Sequence, residues 1–258
     1  MNPISILRDG PIATVTLCNP ERLNALTKAM WVGLGEAIRA LAADDALRCV
    51  VLRGAGEQAF AAGADISEFA TERADSRQAK AYGELIHETM QAVGRCRHPT
   101  VAMIRGACIG GGLEIAAMCD MRICGESSRF GIPINRLGLT MAYGELEGLL
   151  ALVGRAVTLE ILLEGRVFGA AEALAKRLVN RVVPDAKVEE ESYALARRIA
   201  AGAPLVARWH KRFVERLTVR AQLAPQEWDD GYACFDTEDY RVGVDAFLRK
   251  EKPRFQGR

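Results

Sequence analysis

Val101–Asp120, VAMIRGACIGGGLEIAAMCD, is the stretch on which the reading of the chain turns. Val101–Ile104 has the apolar run of a buried strand and Arg105–Ile109 reads as a turn. Gly110, Gly111 and Gly112 then lead into an apolar helix that starts near Leu113. Glycines where a strand feeds a helix free backbone N–H groups to face a ligand, and the helix dipole favours negative charge there. Such a turn can stabilise an oxyanion. Glu114 sits in the helix's first turn between Leu113 and Ile115, a carboxylate with little polar company and so a candidate general acid/base. The same pattern also describes a close packing point carrying a dipole-complementing surface charge, and within this stretch both readings stand.

Working outward, strands alternate with helices. Ile4–Leu7 and Ile12–Leu17, split by Asp9-Gly10, predict an antiparallel pair. Leu26, Met30, Leu34, Ala37, Ile38 and Leu41 recur at helical spacing, and Cys49–Leu52 is apolar throughout, as a buried parallel strand is. Ala55–Ile66 is a loop too apolar for plain solvent contact, which points to something bound against it. Asp75–Arg95 predicts a long amphipathic helix with Ala81, Leu85, Met90 and Val93 toward the core. Beyond the central stretch come a strand at Met121–Cys124, an extended piece at Arg129–Pro133, a loop at Arg136–Tyr143 and a helix at Glu145–Leu152. Gly165–Gly169 is a turn, Ala170–Arg177 a short helix and Leu178–Val183 a last apolar strand. Right-handed crossovers stack such units as a coil or lay them in a doubly wound sheet. From Lys187 onward the pattern is helical only: Val188–Ala201, Leu205–Leu217, Pro225–Phe235 and Asp239–Lys250. The expectation is an α/β core over residues 1–200 and a helical region over 201–258 that packs on the core or on another subunit.

The 258 residues carry 34 Lys+Arg against 33 Asp+Glu, so no large single-sign field exists to attract nucleic acid or a membrane surface. The N-terminal residues lack a signal-peptide pattern and no apolar run approaches about 18 residues, so a cytoplasmic protein is expected. Seven scattered cysteines read as reduced core residues, and Cys119 and Cys124 lack the further ligands of a zinc site, so no metal is expected. No G-x-G-x-x-G, G-K-[ST] or G-x-S-x-G pattern occurs, which removes the usual anchors of dinucleotide, nucleoside-triphosphate and α/β-hydrolase readings. His87, His98 and His210 have no evident catalytic partners and read as structural or surface residues.

Several motifs, in order and spacing, resemble the crotonase (enoyl-CoA hydratase/isomerase) superfamily: Asn19–Leu26, Ala59–Ile66, Gly106–Asp120, Arg136-Leu137-Gly138, and Thr237–Arg241 with Ala246-Phe247-Leu248 and Lys252–Phe255. The resemblance spans essentially the whole chain. It implies a crotonase-like spiral of repeated ββα turns with a C-terminal helical trimerisation region, and a homotrimer or dimer of trimers. It also implies an acyl-CoA thioester substrate, coenzyme A being part of the substrate and no separate cofactor being needed. The backbone N–H groups of Ala64 and Gly111 would hold the thioester oxygen, where prepositioned donors favour the enolate over the ground state. Arg22, Leu23, Ala25, Ala62, Asp65, Ile66 and Gly110 would form the CoA-binding wall, with Phe247, Lys252 and Phe255 approaching the nucleotide of a neighbouring subunit. For Asp65 itself, local turn hydrogen bonding is favoured over proton transfer.

The resemblance assigns one hydratase carboxylate to Glu114. The position of the second, after Phe130-Gly131-Ile132-Pro133, is Ile134, and a hydrocarbon cannot transfer a proton. Three outcomes stay open: Glu114 does all the acid/base work; Glu145, Glu147 or Tyr143 reaches in; or the reaction is isomerisation, decarboxylation or thioester hydrolysis. Glu145 and Glu147 also fit a solvated helix N-terminus. The leading expectation is enoyl-CoA hydratase-type addition of water, and the alternative of another class is a non-catalytic acyl-CoA-binding subunit. Phe69, Ile86, Met90, Ile134 and Leu139 are expected on the far wall of the pocket.

Overall fold

The computed structural model describes residues 2–218, 224–230 and 232–258. The chain runs β1 (Ile4–Asp9), β2 (Ile12–Leu17), α1 (Lys28–Ala43), β3 (Cys49–Gly54), β4 (Ala59–Ala61), α2 (Phe69–Glu72) and α3 (Ser76–Gly94). It continues through β5 (Thr100–Ile104), β6 (Ala107–Ile109), α4 (Gly111–Met118), β7 (Met121–Gly125), β8 (Arg129–Gly131) and α5 (Tyr143–Glu164). Then follow β9 (Phe168–Gly169), α6 (Ala170–Ala175), β10 (Arg181–Val183), α7 (Val188–Ala200), α8 (Pro204–Thr218), α9 (Pro225–Asp230) and α10 (Glu238–Arg249).

Two sheets result, ordered β1-β2-β3-β5-β7-β10 and β4-β6-β8-β9. In the first, β1 and β2 are antiparallel and every later pairing is parallel. The pairs β3–β4, β5–β6 and β7–β8 each place one strand in the large sheet and the next in the small one before a helix returns the chain. This is a spiral of ββα turns, not a doubly wound sheet. The strands of the large sheet read as continuous apolar runs because both faces are covered. Val50, Leu52, Ala102 and Ile104 join the main core with α1, α3 and α4, whereas Cys49, Val51, Val101 and Met103 pack under Val188, Leu195 and Ala196 of α7. All seven cysteines are free and five are buried.

The structure departs from sequence expectation where signals are short. The loop Ala55–Ile66 contains β4, and the turn Arg105–Ile109 contains β6. A three-residue strand is too brief to show a period. Leu26 is not part of the helix: Thr27 caps α1, its side chain accepting from the Met30 N–H, and Leu26 instead bridges to Ala64. Ala81 is exposed, and Tyr82 and Ile86 take the core face of α3. The helix expected at Glu145–Leu152 runs on to Glu164 through a break at Gly154, whose φ is +73°. The last strand shortens to β10, with Leu178 and Val179 buried just before it. The helix expected at Pro225–Phe235 is α9 followed by a 3-10 turn at Ala233–Asp236; position 231 lies outside the described residues. Beyond β10 only helices occur among the described residues. They are tied to the core by Arg48, which donates to the Ala200 and Phe255 carbonyls, and by the Lys211–Asp120 ion pair at 2.9 Å.

Asn24, fully buried with φ +55°, fixes the chain between β2 and α1. Its amide donates to the Ala55 and Ala59 carbonyls at 3.0 and 2.8 Å, and its side-chain oxygen accepts from the Asn19 N–H at 3.0 Å. Asn24→Ala strands these buried groups and loses a residue type that tolerates left-handed backbone. We expect a loss of about 3 kcal/mol by chemical denaturation; an unchanged midpoint would show that Asn24 does not hold this junction.

Candidate active site

The site forms where two loops meet. The Leu23–Leu26 segment zips against Ala62–Asp65: the Ala62 N–H donates to Leu23 O at 3.0 Å, Leu26 N–H to Gly63 O at 2.7 Å and Asp65 N–H to Leu26 O at 2.9 Å. The Ala64 N–H finds no backbone acceptor in this ladder. Opposite lies the N-terminus of α4. Gly110, the residue before it, has φ +51° and ψ −123°, a conformation side chains resist. A Cβ on Gly112 would lie 2.4 Å from the Ala61 carbonyl oxygen, so only glycine lets α4 press this closely on β4. Gly111 is the first helical residue, and its N–H has no acceptor one turn earlier. The two sequence-predicted oxyanion donors thus border one cavity.

That cavity is open to solvent and has a volume of about 150 Å³. It brings together Ala62, Ala64, Ile66, Gly110, Gly111, Glu114, Ile134, Leu139 and Glu145, with Phe69 and Ile86 on its wall as expected. Met90 is not on it but in the core. Trp31, Arg73 and Met141 also line it and were not anticipated. Trp31 reads from sequence as an ordinary core position of α1. Arg73 follows a short helix with no periodic signal.

Glu114 is buried, and its carboxyl is pushed up to about 8. Loss of hydration is the main cause; the nearby Glu145 adds to it and Arg73 opposes it. Glu145 serves two ends: one carboxylate oxygen accepts from the Ala142 N–H at 2.7 Å at the start of α5, and the side chain lines the cavity. Glu147 is turned away, accepting from Gln91 at 2.7 Å. Tyr143, a candidate donor from sequence, is 94% exposed and does not line the cavity. As the first residue of α5 it faces outward, which removes it as a donor.

Asp65 accepts from the Ser67 hydroxyl at 2.6 Å, the Ser67 N–H at 3.0 Å and Arg22 at 2.8 Å, which hold its carboxyl below the usual range. These are the hydrogen bonds of a turn. Arg22 and Asp65 also border a second groove with Pro20, Thr27 and Met30. Leu23 is exposed and Ala25 half-buried beside this loop. Lys252 is exposed and Phe255 lies among the C-terminal helices beside Tyr240, Val244 and Phe247, away from this chain's own cavity. His98 is buried and structural; desolvation, with Arg208 and Arg97 nearby, pushes it down to about 4. Among the described residues no group of three or more His, Cys, Asp or Glu side chains is placed to hold a metal ion, and no helix is long and apolar enough to cross a membrane.

Comparison with known proteins places the chain in a family. Residues 8–258 match the family model for enoyl-CoA hydratase/isomerase. A short-chain-enoyl-CoA hydratase of Clostridium acetobutylicum is 31% identical over 98% of this chain and 97% of its own length. A crotonyl-CoA hydratase of Syntrophomonas wolfei is 30% identical over 98% of this chain and 97% of its own. Among solved structures, that of an enoyl-CoA hydratase/carnithine racemase from Magnetospirillum magneticum superposes with a TM-score of 0.98. It is 50% identical, covering 100% of this chain and 97% of that one. With a spiral of ββα turns, two glycine loops meeting at a buried glutamate and a family match over nearly its whole length, the chain belongs to the enoyl-CoA hydratase/isomerase family.

Proposed function

We propose that this protein adds water across the double bond of a 2-enoyl-CoA, using Glu114 and Glu145 as its acid/base pair. The observation that carries the reading is that both carboxyl groups line the cavity bordered by the Ala64 and Gly111 N–H groups. Attack of water oxygen on the β-carbon sends the double-bond electrons through the α-carbon to the thioester oxygen. The two N–H groups stabilise the resulting enolate charge, assisted by the positive end of α4. The enolate then collapses as the α-carbon takes a proton. Both protons of water are accounted for: one stays on the new hydroxyl, the other passes to Glu145 as Glu114 gives its own proton to the α-carbon, and transfer of a proton from Glu145 back to Glu114 restores the starting state.

The chemistry therefore needs one base and one acid. Glu114, kept protonated by burial, supplies the acid, and the Glu145 carboxylate on the same cavity supplies the base. Ile134, where the family resemblance led us to expect the second acid, contributes only apolar wall. Arg22, Leu23, Ala25, Ala62, Asp65 and Ile66 are read as the CoA wall, and the steps use no group beyond the chain and its substrate. The apolar side chains exposed on the C-terminal helices, Phe247 and Leu248 of α10 and Val214 and Leu217 of α8, support reading residues 201–258 as the surface where copies associate as trimers or dimers of trimers.

Loss of the conjugated thioester absorbance of crotonyl-CoA measures the reaction. Glu114→Gln is expected to lower kcat by about a thousandfold and Glu145→Gln by about a hundredfold; full activity in the Glu145 variant would remove it from the mechanism. The pH profile distinguishes the pair from a lone base. With Glu114 at about 8, its proton is lost above that value, so kcat/KM falls as pH rises through it. A rise through the same range would mean that Glu114 must be ionised and acts alone.

Burial of Glu114 also couples to stability. Because its folded value lies above the unfolded one, the native state holds the proton more tightly, and stability drains away as pH rises from the ordinary carboxylate range through about 8. Glu114→Gln should thus raise Tm relative to the parent more near pH 9 than near pH 5, values spanning about that window. An equal offset at both would contradict the raised value.

A further inference from the structure

One wall of the cavity contains a charge for which the hydration chemistry has no use. Arg73 follows α2 and lines the cavity among Ile66, Phe69, Ile86 and Leu139. Its guanidinium carbon sits 4.1 Å from the centre of the Tyr82 ring and 4.8 Å from that of Phe69. Two aromatic faces support the cation but offer it no counterion. Its Nε is buried without a hydrogen-bond partner. Among the described residues no carboxylate lies within ion-pair distance of it; its acidic neighbours in sequence are committed elsewhere, Glu72 to the Lys28 ammonium at 2.7 Å and Glu68 to the Lys28 N–H at 2.8 Å. The Tyr82 hydroxyl is a neutral companion.

A half-buried guanidinium backed by two aromatic faces, bordering the cavity and free of ion pairs among the described residues, is suited to receive an anionic ligand. Serving Glu114 does not account for it, since the two make no ion pair and Glu114 stays well above the ordinary carboxylate range in spite of the neighbouring charge. The guanidinium's planar fork is matched to a carboxylate. The remaining candidate for that carboxylate is the substrate.

We propose that Arg73 is the specificity-determining residue of the acyl pocket and binds a carboxylate at the far end of the acyl chain, so that the preferred substrates are 2-enoyl-CoA monothioesters of dicarboxylic acids. The inference rests on the hydratase reading for its assay but not for its binding chemistry. Specificity of this kind is a difference between two ligands that share every contact but one. Glutaconyl-CoA against 2-pentenoyl-CoA, and 2-hexenedioyl-CoA against 2-hexenoyl-CoA, are such pairs.

The experiment measures kcat/KM for both pairs in the parent enzyme, Arg73→Leu and Arg73→Lys, with circular dichroism to confirm folding. The parent is expected to favour the carboxylate-ended member by about tenfold or more, and Arg73→Leu to lower that ratio by about a hundredfold, chiefly through KM. Arg73→Lys should restore part of the ratio, since it keeps the charge and loses the fork. A parent that favours the neutral esters overturns the proposal while leaving hydration intact. So does an Arg73→Leu variant that loses both esters equally, which would make Arg73 a partner of Glu114 instead. Should no ester turn over, the hydratase reading fails, and calorimetric binding of glutaryl-CoA against valeryl-CoA decides the proposal. Tighter glutaryl-CoA binding that disappears in Arg73→Leu supports it, and equal binding overturns it. An Arg73→Leu chain that does not fold is replaced by Arg73→Gln under the same outcomes.

Discussion

The contact of α4 with β4 at Gly112 and Ala61 is the constraint on which the remaining geometry depends. A methyl group at Gly112 would lie 2.4 Å from a carbonyl oxygen that the small sheet needs in place. Backing α4 away would separate Gly110 from Gly63, whose backbones meet with a spacing at which a Cβ on Gly110 would lie 3.5 Å from the Gly63 Cα. The Ala64 and Gly111 N–H groups belong to those two segments, so the proposed oxyanion site is a by-product of how closely a helix end approaches a strand. The same approach buries Glu114 one turn into α4. One packing decision therefore sets both the donors that accept negative charge and the carboxyl that resists acquiring it.

The chemistry tolerates movement of its second carboxylate in a way that it does not tolerate movement of the donors. An oxyanion's position is fixed by the thioester, whereas a proton can reach the reacting carbons from any side chain bordering the cavity, directly or through a water. Ile134 lines the cavity as hydrocarbon, and the carboxylate proposed for that role is Glu145, across the 3-10 turn Pro133–Leu137 that precedes α5. There the capping bond to Ala142 holds one carboxylate oxygen in place without supplying a countercharge, so its field still bears on Glu114. A helix start is a suitable place for such a group, because its dipole stabilises the carboxylate that the base role requires.

Sequence alone carried the alternation of strands and helices, the switch to helices after β10, and the two glycine loops, because each rests on runs or on residue types with a single backbone use. It favoured turn hydrogen bonds for Asp65, which the structure shows, and put Glu114 and Ile134 together while leaving Glu145 open between the site and a solvated helix start. It missed β4 and β6, whose three residues are too few for a period, so residue patterns left a coil and a doubly wound sheet both open and the family resemblance alone pointed to the spiral. Tyr143 and Glu145 lie two residues apart at the start of one helix; periodicity cannot say which faces inward until α5 has been docked. Arg73 was invisible for a related reason. Its significance comes from Tyr82 and Phe69 around it and from Lys28 drawing off Glu72, and all of these are tertiary facts.

Specificity and proton inventory meet at Glu114. Arg73 lowers the proton affinity of that carboxyl while Glu145 and burial raise it. A carboxylate-ended acyl chain bound at Arg73 neutralises the opposing charge, so the proton on Glu114 is held more firmly in the complex than in the free enzyme. By reciprocity, a protonated Glu114 favours the anionic ligand over a deprotonated one, whose charge would repel it. The state in which the acid is loaded is thus the state that best accepts the substrate, and a neutral acyl chain gains no such coupling. The unpaired cation in the pocket then acts on the reaction through charge balance as well as through contact, with no need for either glutamate to move.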